Sequence, residues 1–252
     1  MNPKVAVLLC AHNAERFIAQ AIESILKQTY KDYEFIIVEN SSNDNTWSII
    51  KSYSDTKIRA FQTPLKQLTF NLNYGLIQTK AEYIARMDAD DIAKPERIER
   101  QVNYLDAHPD VVVLGTAFEL FGTDEESRVV FMPETNKAIR RRLPFRFCFC
   151  HPTVMFRREI ILEHGGYQGG SYSQDVDLWL RLSRDKALKF ANLKEPLLKY
   201  RIHPNQAKGR GESYILNASQ LFREALVQKS ARFFLGFIIS SLKIFRSQTR
   251  FK

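Results

Sequence analysis

The alternation of apolar, β-rich runs with segments of helical periodicity is the feature that most constrains this fold. Residues 5–10 form a short apolar run of strand character, and the apolar residues between Phe17 and Leu26 then recur at helical spacing. The same order of strand and helix repeats along the first half of the chain. Strands joined by crossover helices form a parallel sheet that is covered on both faces. The sequence therefore predicts an α/β protein with a Rossmann-like, mostly parallel central sheet flanked by helices.

The rhythm changes after Thr116, where the segments become shorter. In the first half, strands are predicted at 5–10, 34–39, 57–62, 83–87 and 111–115, with helices near 17–26, 46–53, 70–78 and 95–108. In the second half, strands are predicted at 118–121, 128–131, 153–156, 188–191 and 197–200, with helices near 137–143 and 175–183. We expect the second half to complete one compact body and to cover one edge of the sheet.

Composition supports a folded body that ends in a basic tail. The chain has 252 residues, of which 44% are hydrophobic, and this is enough to bury a substantial core. Residues 208–252 contain nine Lys and Arg against Glu212 and Glu224, so that nine minus two gives +7 of the formal +9. Because the excess charge belongs to the tail, we predict no nucleic-acid partner.

The N-terminal sequence and the cysteines predict a cytoplasmic protein. The apolar run 5–10 is followed at once by His12 and Asn13, which does not resemble a signal peptide. Cys10, Cys148 and Cys150 are odd in number and lack zinc-ligand spacing, so reduced thiols are expected.

Polar residues follow the first, second and fourth predicted strands at the point where each strand ends. These segments are 10–13, 39–44 and 88–91. In open parallel sheets, ligands bind at the carboxyl ends of the strands, so we expect these residues to form one polar rim. No Gly-rich dinucleotide fingerprint follows the first strand and no G-K-[ST] phosphate loop occurs in the sequence.

The segment "YIARMDADD" ends a buried strand in carboxylates. Asp88 and Asp90 flank a small residue, which is an arrangement that suits Mg²⁺ or Mn²⁺ shared with a diphosphate. The alternative is structural: Asp90 or Asp91 caps the helix that begins near Pro95 or fills a turn. From D-x-D alone the cap is the simpler interpretation, and its position after a buried strand favours the metal.

Several further segments appear in the order expected of one enzyme family. These are "EFIIVENSSNDNT", "ARMDADDIAKPERIERQV", "GGYQGGSYSQDVDLWLRL" and "YRIHPNQ". Together with Asn13 in the turn after the first strand, they make residues 5–206 resemble a family 2 glycosyltransferase. This resemblance implies a GT-A fold and inverting transfer of a sugar from a nucleotide diphosphate sugar.

The resemblance also implies roles for individual residues. It assigns the metal, Mn²⁺ or Mg²⁺, to Asp90 and His203, and it assigns general-base catalysis to Asp175. The residues that it assigns to the nucleotide-sugar donor are Ala11, Asn13, Glu39, Asn40 and Asp88.

This sequence departs from the family pattern at two places. Glu39 and Asn40 stand where two aspartates are usual in the base-binding loop, and Gln174 replaces the glutamate before Asp175. Both residues of the loop keep an oxygen acceptor for the uracil N3–H, so a UDP-sugar is the predicted donor. Their structural alternative is an Asx-rich turn, and that of Asp175 is a helix N-cap. Asp177 is expected to form a surface pair with Arg181.

The resemblance and the change of rhythm together predict the organisation of the chain. Residues 1–116 are the expected nucleotide-sugar-binding half and residues 117–206 the acceptor-binding half of the same domain. Residues 207–252 are predicted to form a basic amphipathic helical tail. Its apolar stripe is Phe234, Phe237, Ile238, Ser241 and Phe245.

The tail has too few consecutive apolar residues to span a bilayer, which needs about 20 of them. It fits a helix lying on the cytoplasmic face of an anionic membrane, or alternatively one packed on the body of the protein. The predicted function is transfer of a sugar to a hydroxyl of a saccharide or lipid-linked saccharide during bacterial surface-polysaccharide synthesis. The alternatives are a non-catalytic nucleotide-sugar-binding or scaffold protein, and a sugar nucleotidyltransferase, whose Gly-rich opening loop is missing here.

Overall fold

A computed structural model of the chain describes residues 2–122, 127–170, 172–203 and 211–248. The strands are β1 (Val5–Ala11), β2 (Tyr33–Glu39), β3 (Ile58–Gln62), β4 (Tyr83–Asp88), β5 (Ile92–Ala93), β6 (Val111–Phe121), β7 (Arg128–Val130), β8 (Met155–Arg157) and β9 (Lys189–Arg201). The helices are α1 (Ile18–Leu26), α2 (Thr46–Lys51), α3 (Leu68–Ile77), α4 (Arg97–Ala107), α5 (Asn136–Arg142), α6 (Arg158–Glu163), α7 (Gln174–Leu182), α8 (Gly211–Val227) and α9 (Ala231–Gln248).

The strands form one mixed sheet in the order β3-β2-β1-β4-β8-β6-β9-β5, with β7 paired to β6. Strands β1 to β4 are mutually parallel, as the alternating sequence pattern predicts. Strand β8 joins this parallel half to the later strands by running antiparallel to both β4 and β6. The α/β class and the predicted GT-A architecture are therefore confirmed.

Strand β1 is buried on both faces, which explains why it reads as an unbroken apolar run. Val5, Val7 and Leu9 point into a core that includes α1 and α4, whereas Ala6 and Leu8 point into a second core that includes α3 and α7. This burial places the carboxyl ends of the parallel strands at one edge, between the two layers of helices.

Two pairs of predicted strands are each one continuous strand, so the predicted breaks within them were wrong. The pieces predicted at 111–115 and 118–121 form one strand, β6, and those at 188–191 and 197–200 form one strand, β9. The pairing of β6 with β9 shifts register between Thr116 and Ala117, whose partners are Leu193 and Pro196. A β-bulge therefore accommodates Pro196, and both strands continue beyond it. The break in periodicity marked this bulge.

The C-terminal part consists of two helices that pack on the body. Glu224 of α8 is completely buried and accepts hydrogen bonds from Arg184 at 2.6 and 2.9 Å. Arg223 donates to the buried Asp177 of α7 at 2.7 Å. Gly236 of α9 lies so close to the segment after α5 that an added Cβ would be 2.1 Å from the carbonyl oxygen of Pro144.

The predicted apolar stripe of the tail is divided between the body and the solvent. Phe233 is buried and Phe237 packs against the second core, whereas Phe234 and Ile238 are 47% and 40% exposed. The joint predicted at 203–212 falls largely on residues 204–210, which lie outside the described residues, as does the side chain of Phe245. No helix in the described ranges is long and apolar enough to cross a membrane.

We predict that Glu224→Ala destabilises the attachment of α8. It removes a buried carboxylate that holds two guanidinium groups, and breaking such pairs costs about 3–5 kcal/mol, with the lower end expected because both arginines are partly exposed. Chemical denaturation gives the change in free energy of unfolding. Glu212→Gln, on an exposed position of the same helix, is the control. Equal stability of the two variants would contradict this role for Glu224.

Candidate active site at the carboxyl edge of the sheet

A cluster of three carboxylates lies where β4 ends. Oxygen atoms of Asp88, Asp90 and Asp91 all lie within 4.8 Å of one another. Burial, followed by the charges of Asp88 and Asp90, raises the pKa of Asp91 well above its ordinary value. A cluster of this kind is costly unless it has a cationic partner.

One partner of the cluster is the guanidinium of Arg86, on β4. It lies 2.5 Å from Oδ2 of Asp88, and Arg86 is itself only 3% exposed. Burial raises the pKa of Asp88, an effect that the charge of Arg86 opposes. The side chain of Arg86 thus positions Asp88.

The end of β9 provides a second partner, Arg201. Its backbone N–H donates to Oδ1 of Asp91 at 2.9 Å, and its Nε donates to the carbonyl oxygen of Asp90 at 2.8 Å. The guanidinium lies 4.5 Å from the ring centroids of both Phe17 and Phe121. Arg201 therefore fixes the loop that carries the aspartates.

The capping interpretation of the aspartates is wrong. Helix α4 begins at Arg97, and its N-cap residue is Glu96, whose side chain makes no capping hydrogen bond. Asp91 instead pairs with β9, and its Oδ2 is buried without a hydrogen-bond partner.

His203 is brought to the cluster by the length of β9. Its Nε2 lies 3.0 Å from Oδ2 of Asp90, and its ring centroid is 5.2 Å from that of Phe17. The histidine and Asp90, which are 113 positions apart, are both partly open to solvent.

These residues fit a divalent cation on their own geometry. Three carboxylates converge, an imidazole nitrogen lies beside one of them, and Oδ2 of Asp91 is an orphaned buried acceptor. Carboxylate oxygens are ligands that suit Mg²⁺ and Mn²⁺.

The loop after β2 contains the predicted base-binding residues, and the two differ in availability. Glu39 is buried, and its carboxylate accepts hydrogen bonds from the backbone N–H of Ser42 at 2.5 Å and from Gln62 at 2.9 Å. Asn40 is 5% exposed, and its Oδ1 has no hydrogen-bond partner. Asn40 is therefore the residue of this pair with a free acceptor.

The turn after β1 meets the same loop. Asn13 adopts a positive φ of 49°, and its Oδ1 accepts a hydrogen bond from the backbone N–H of Asn43 at 2.9 Å. The carbonyl oxygen of Ala11, at the end of β1, accepts from the backbone N–H of Asn40 at 2.8 Å. The residues at the ends of β1 and β2 that are predicted to bind the nucleotide-sugar donor are thus neighbours.

Asp175 is the second residue of α7 and is not a helix cap, since Ser173 occupies the N-cap position. Burial raises the pKa of the Asp175 carboxyl, an effect that the charge of Arg86 opposes and that of Asp88 reinforces. The charges of Asp88 and Arg86 therefore act on the Asp175 carboxyl.

Asp177 has a structural role. Its carboxylate is 1% exposed and is held by Arg181 and Arg223, each at 2.7 Å. The pair with Arg181 exists as predicted, but it is buried and not on the surface. Both oxygens of Asp177 are occupied, which leaves Asp175 as the carboxylate of this helix that is available for chemistry.

Two further polar side chains are tied to the body. His151 pairs with the hydroxyl of Tyr167 at 2.8 Å, and burial lowers its pKa well below the ordinary value. Arg140, in the basic run of α5, donates to the carbonyl oxygens of Ser183 and Asp185, each at 2.8 Å.

Sequence reasoning missed the two arginines that support the cluster from behind. Arg201 stands two residues before His203 in "YRIHPNQ", a spacing that places both near the end of one strand. Arg97 is 1% exposed and donates from Nη2 to the carbonyl oxygen of Arg86 at 2.7 Å. The only sign of this role in the sequence is that an arginine occupies a position of α4 that faces the core.

Comparison with known proteins gives a consistent result. The pattern of "Glycosyl transferase family 2" matches residues 6–165. The chain is 36% identical over 237 residues to the "O-antigen biosynthesis glycosyltransferase WbnJ" of Escherichia coli, with 92% of each protein covered.

Solved structures with the same fold are more distant in sequence. The Staphylococcus aureus protein TarS (residues 1–349), in complex with UDP-GlcNAc, superposes with a TM-score of 0.70 at 16% identity, covering 87% of this chain and 66% of that one. The mannosyltransferase PcManGT of Pyrobaculum calidifontis, in complex with GDP-Man and Mn²⁺, superposes with a TM-score of 0.61 at 17% identity, covering 97% and 70%.

The match over residues 6–165 and the 36% identity to a full-length relative lead to one conclusion. This chain belongs to glycosyl transferase family 2 and is a glycosyltransferase with a GT-A fold.

Proposed function

We propose that this protein transfers a sugar, with inversion, from a nucleotide diphosphate sugar to a hydroxyl of a saccharide or lipid-linked saccharide in bacterial surface-polysaccharide synthesis. The observation that carries the proposal is that carboxylates suited to bind a cation and a carboxylate suited to accept a proton lie within electrostatic reach of each other. Carboxylates that suit a cation end β4, and the pKa of Asp175, on α7, is raised by burial and by the charge of Asp88. The O-antigen role in the name of WbnJ supports the polysaccharide context.

The donor is assigned to the 1–116 half and the acceptor to the 117–206 half. Asn40, with its free Oδ1, offers an acceptor to the N3–H of uracil, whereas Glu39 positions the loop. Ala11 and Asn13 line the turn beside it, and Asp88 lies on the sugar side. UDP is the proposed nucleotide; TarS in complex with UDP-GlcNAc supports it, and PcManGT with GDP-Man is the competing precedent.

Asp90 and His203 are the proposed ligands of Mn²⁺ or Mg²⁺, which would neutralise the charge of the departing diphosphate. Asp91 supplies a further buried oxygen to the same cluster. Arg86 and Arg201 hold these carboxylates in place, so that the cluster is formed before substrate arrives. The complex of PcManGT with Mn²⁺ supports a metal-dependent donor site.

Asp175 is the proposed general base. Its carboxylate removes the proton from the acceptor hydroxyl as that oxygen forms a bond to the anomeric carbon from the face opposite the diphosphate. A raised pKa makes the carboxylate a stronger base than an ordinary aspartate. Trp179, one turn further along α7, is only 2% exposed.

The C-terminal helices are the proposed contact with the cytoplasmic membrane face. Eight of the fourteen large hydrophobic side chains that are exposed in the described part of the chain lie on them: Ile215, Phe222, Leu226, Val227, Phe234, Leu235, Ile238 and Leu242. Lys229 and Arg232, in the same part of the chain, are also exposed. Apolar side chains beside basic ones suit an anionic lipid surface.

We predict that Asp90→Asn weakens Mn²⁺-dependent binding of UDP-sugar by about tenfold or more, since losing one charged contact costs ~1.5–3 kcal/mol. Calorimetric titration with and without Mn²⁺ measures this effect. Glu96→Gln is the control, because it removes one negative charge from an exposed position of the same segment. Unchanged Mn²⁺ dependence in Asp90→Asn would remove the metal assignment.

We predict that Asp175→Asn lowers turnover by about 10²- to 10⁴-fold, the usual contribution of a general base, without changing the donor Kd. UDP release with a panel of saccharide and lipid-linked acceptors measures it. The wild-type rate should fall on acidification, at a pH above the ordinary aspartate range, because protonated Asp175 cannot accept a proton. Donor binding without turnover in the wild type would favour the non-catalytic alternative.

The same variant has a stability signature that distinguishes loss of chemistry from misfolding. The folded-state pKa of Asp175 is raised, so its ionisation opposes folding once the pH rises through that pKa. Asp175→Asn should therefore melt at a higher temperature than the wild type at pH 7. The difference should vanish below the pKa of an unfolded aspartate.

We predict that the double variant Phe234→Glu, Ile238→Glu abolishes flotation with anionic lipid vesicles. Burying side chains of this size contributes ~1.5–3 kcal/mol each, and the new charges oppose contact with anionic lipid. Ile77→Glu, at a 62% exposed apolar position on α3, is the matched control and should float as the wild type does. Equal flotation of all three proteins would contradict the membrane contact.

A further inference from the structure

A cavity of about 300 Å³ opens between the segment that follows α5 and the helices α7, α8 and α9. Asp175 is the only carboxylate among the described residues that line it. The charge of Asp88, at the end of β4, contributes to the raised pKa of the same side chain. Asp175 therefore lines the cavity and lies within electrostatic reach of the proposed donor site.

The cavity contains polar atoms that have no partner in the protein. Nε of Arg142, Nε1 of Trp179 and Oδ1 of Asn217 are buried, line the cavity and lack a hydrogen bond. Trp179 is only 2% exposed, so water in bulk does not satisfy its N–H. Two donors and an acceptor, left unpaired on different elements around one space, are the groups that a bound polar molecule would satisfy.

Positive charge is concentrated on the same walls. Arg142, Arg146 and Lys243 all line the cavity. Within the part of the chain that the structure describes, none of the three forms an ion pair with a carboxylate. The other walls include aromatic and aliphatic side chains, among them Phe147, Leu221 and Ile239. The lining is thus cationic and apolar together.

We propose that this cavity selects an acceptor whose sugar carries a phosphate ester followed by a hydrocarbon chain. Arg142, Arg146 and Lys243 bind the phosphate or diphosphate, Trp179 and Asn217 bind polar groups of the acceptor, and the apolar walls take the first part of the chain. The acceptor hydroxyl then lies at Asp175. This inference rests on the proposed transferase function and adds to it the place and the residues that would bind the phosphate and the first part of the chain.

The cavity also gives the C-terminal helices a role apart from membrane contact. Asn217 of α8 and Lys243 of α9 lie on the inner side of the helical pair, whereas Phe234 and Ile238 face solvent. If the outer face of the two helices contacts a lipid surface, an amphiphile in that surface would present its headgroup to the inner side of the helices. The two faces can therefore be tested separately.

The test measures binding and does not depend on turnover. In a Trp47→Phe background, Trp179 is the only tryptophan, because the chain has two. Its fluorescence is titrated with undecyl diphosphate and with neutral undecyl glucoside, both below the concentration at which they form micelles, and with inorganic diphosphate. We expect undecyl diphosphate to bind at least tenfold more tightly than the other two probes.

Substitutions locate the binding. Arg142→Gln and Lys243→Gln should each weaken undecyl diphosphate by about tenfold, as loss of a charge-assisted hydrogen bond does, and leave the neutral glucoside unchanged. Arg142→Lys keeps the charge and should lose less. Arg141→Gln, an adjacent exposed arginine outside the cavity, and the Phe234→Glu, Ile238→Glu double variant should bind as the parent does.

Two outcomes would overturn the inference. Equal affinity for the charged and neutral lipids would remove the phosphate site, and loss of binding in the outer-face double variant alone would move the lipid out of the cavity. Either result leaves the transferase function intact if UDP release still depends on Asp175. Tight binding of undecyl diphosphate without sugar transfer to any acceptor would instead count against the proposed function.

Discussion

Mutual repulsion between Asp88, Asp90 and Asp91 is the constraint on which much of this structure depends. Three carboxylates within 4.8 Å at the end of a buried strand would not be tolerated in isolation. Arg86 opposes them from within the sheet, and Arg201 holds their loop from the far end of β9. The negative charge that remains is what a cation would neutralise. The fold therefore favours the binding of positive charge at the proposed position of the diphosphate.

The length of β9 follows from the same constraint. Had the strand ended at Leu193, neither Arg201 nor His203 would reach the aspartates. The bulge beside Pro196 instead carries it to Arg201, and β5 pairs with its end to close the site. A strand that looks interrupted in the sequence is therefore the element that brings Arg201 and His203 to the aspartates.

The sequence was a good guide where one local pattern decides the structure. The parallel strands β1 to β4 follow from apolar runs, and the rim residues follow from the ends of those runs. It was a poor guide where distant residues meet. No local signal shows that Arg223 joins Arg181 on Asp177, or that Arg201 returns to Asp91. The cavity beside Asp175 was invisible for the same reason, since its walls come from five separated segments.

The contact between Gly236 and Pro144 has a consequence for the evolution of specificity. Because no side chain separates helix α9 from the segment after α5, the two walls of the cavity approach as closely as backbone allows. Any larger residue at this position would move the helix outward and widen the space, without altering a single group at the carboxylate edge. Acceptor size and transfer chemistry are thus under the control of different residues. If the proposed acceptor occupies the cavity, a change at this helix contact would alter which acceptor fits while the carboxylate edge stays the same.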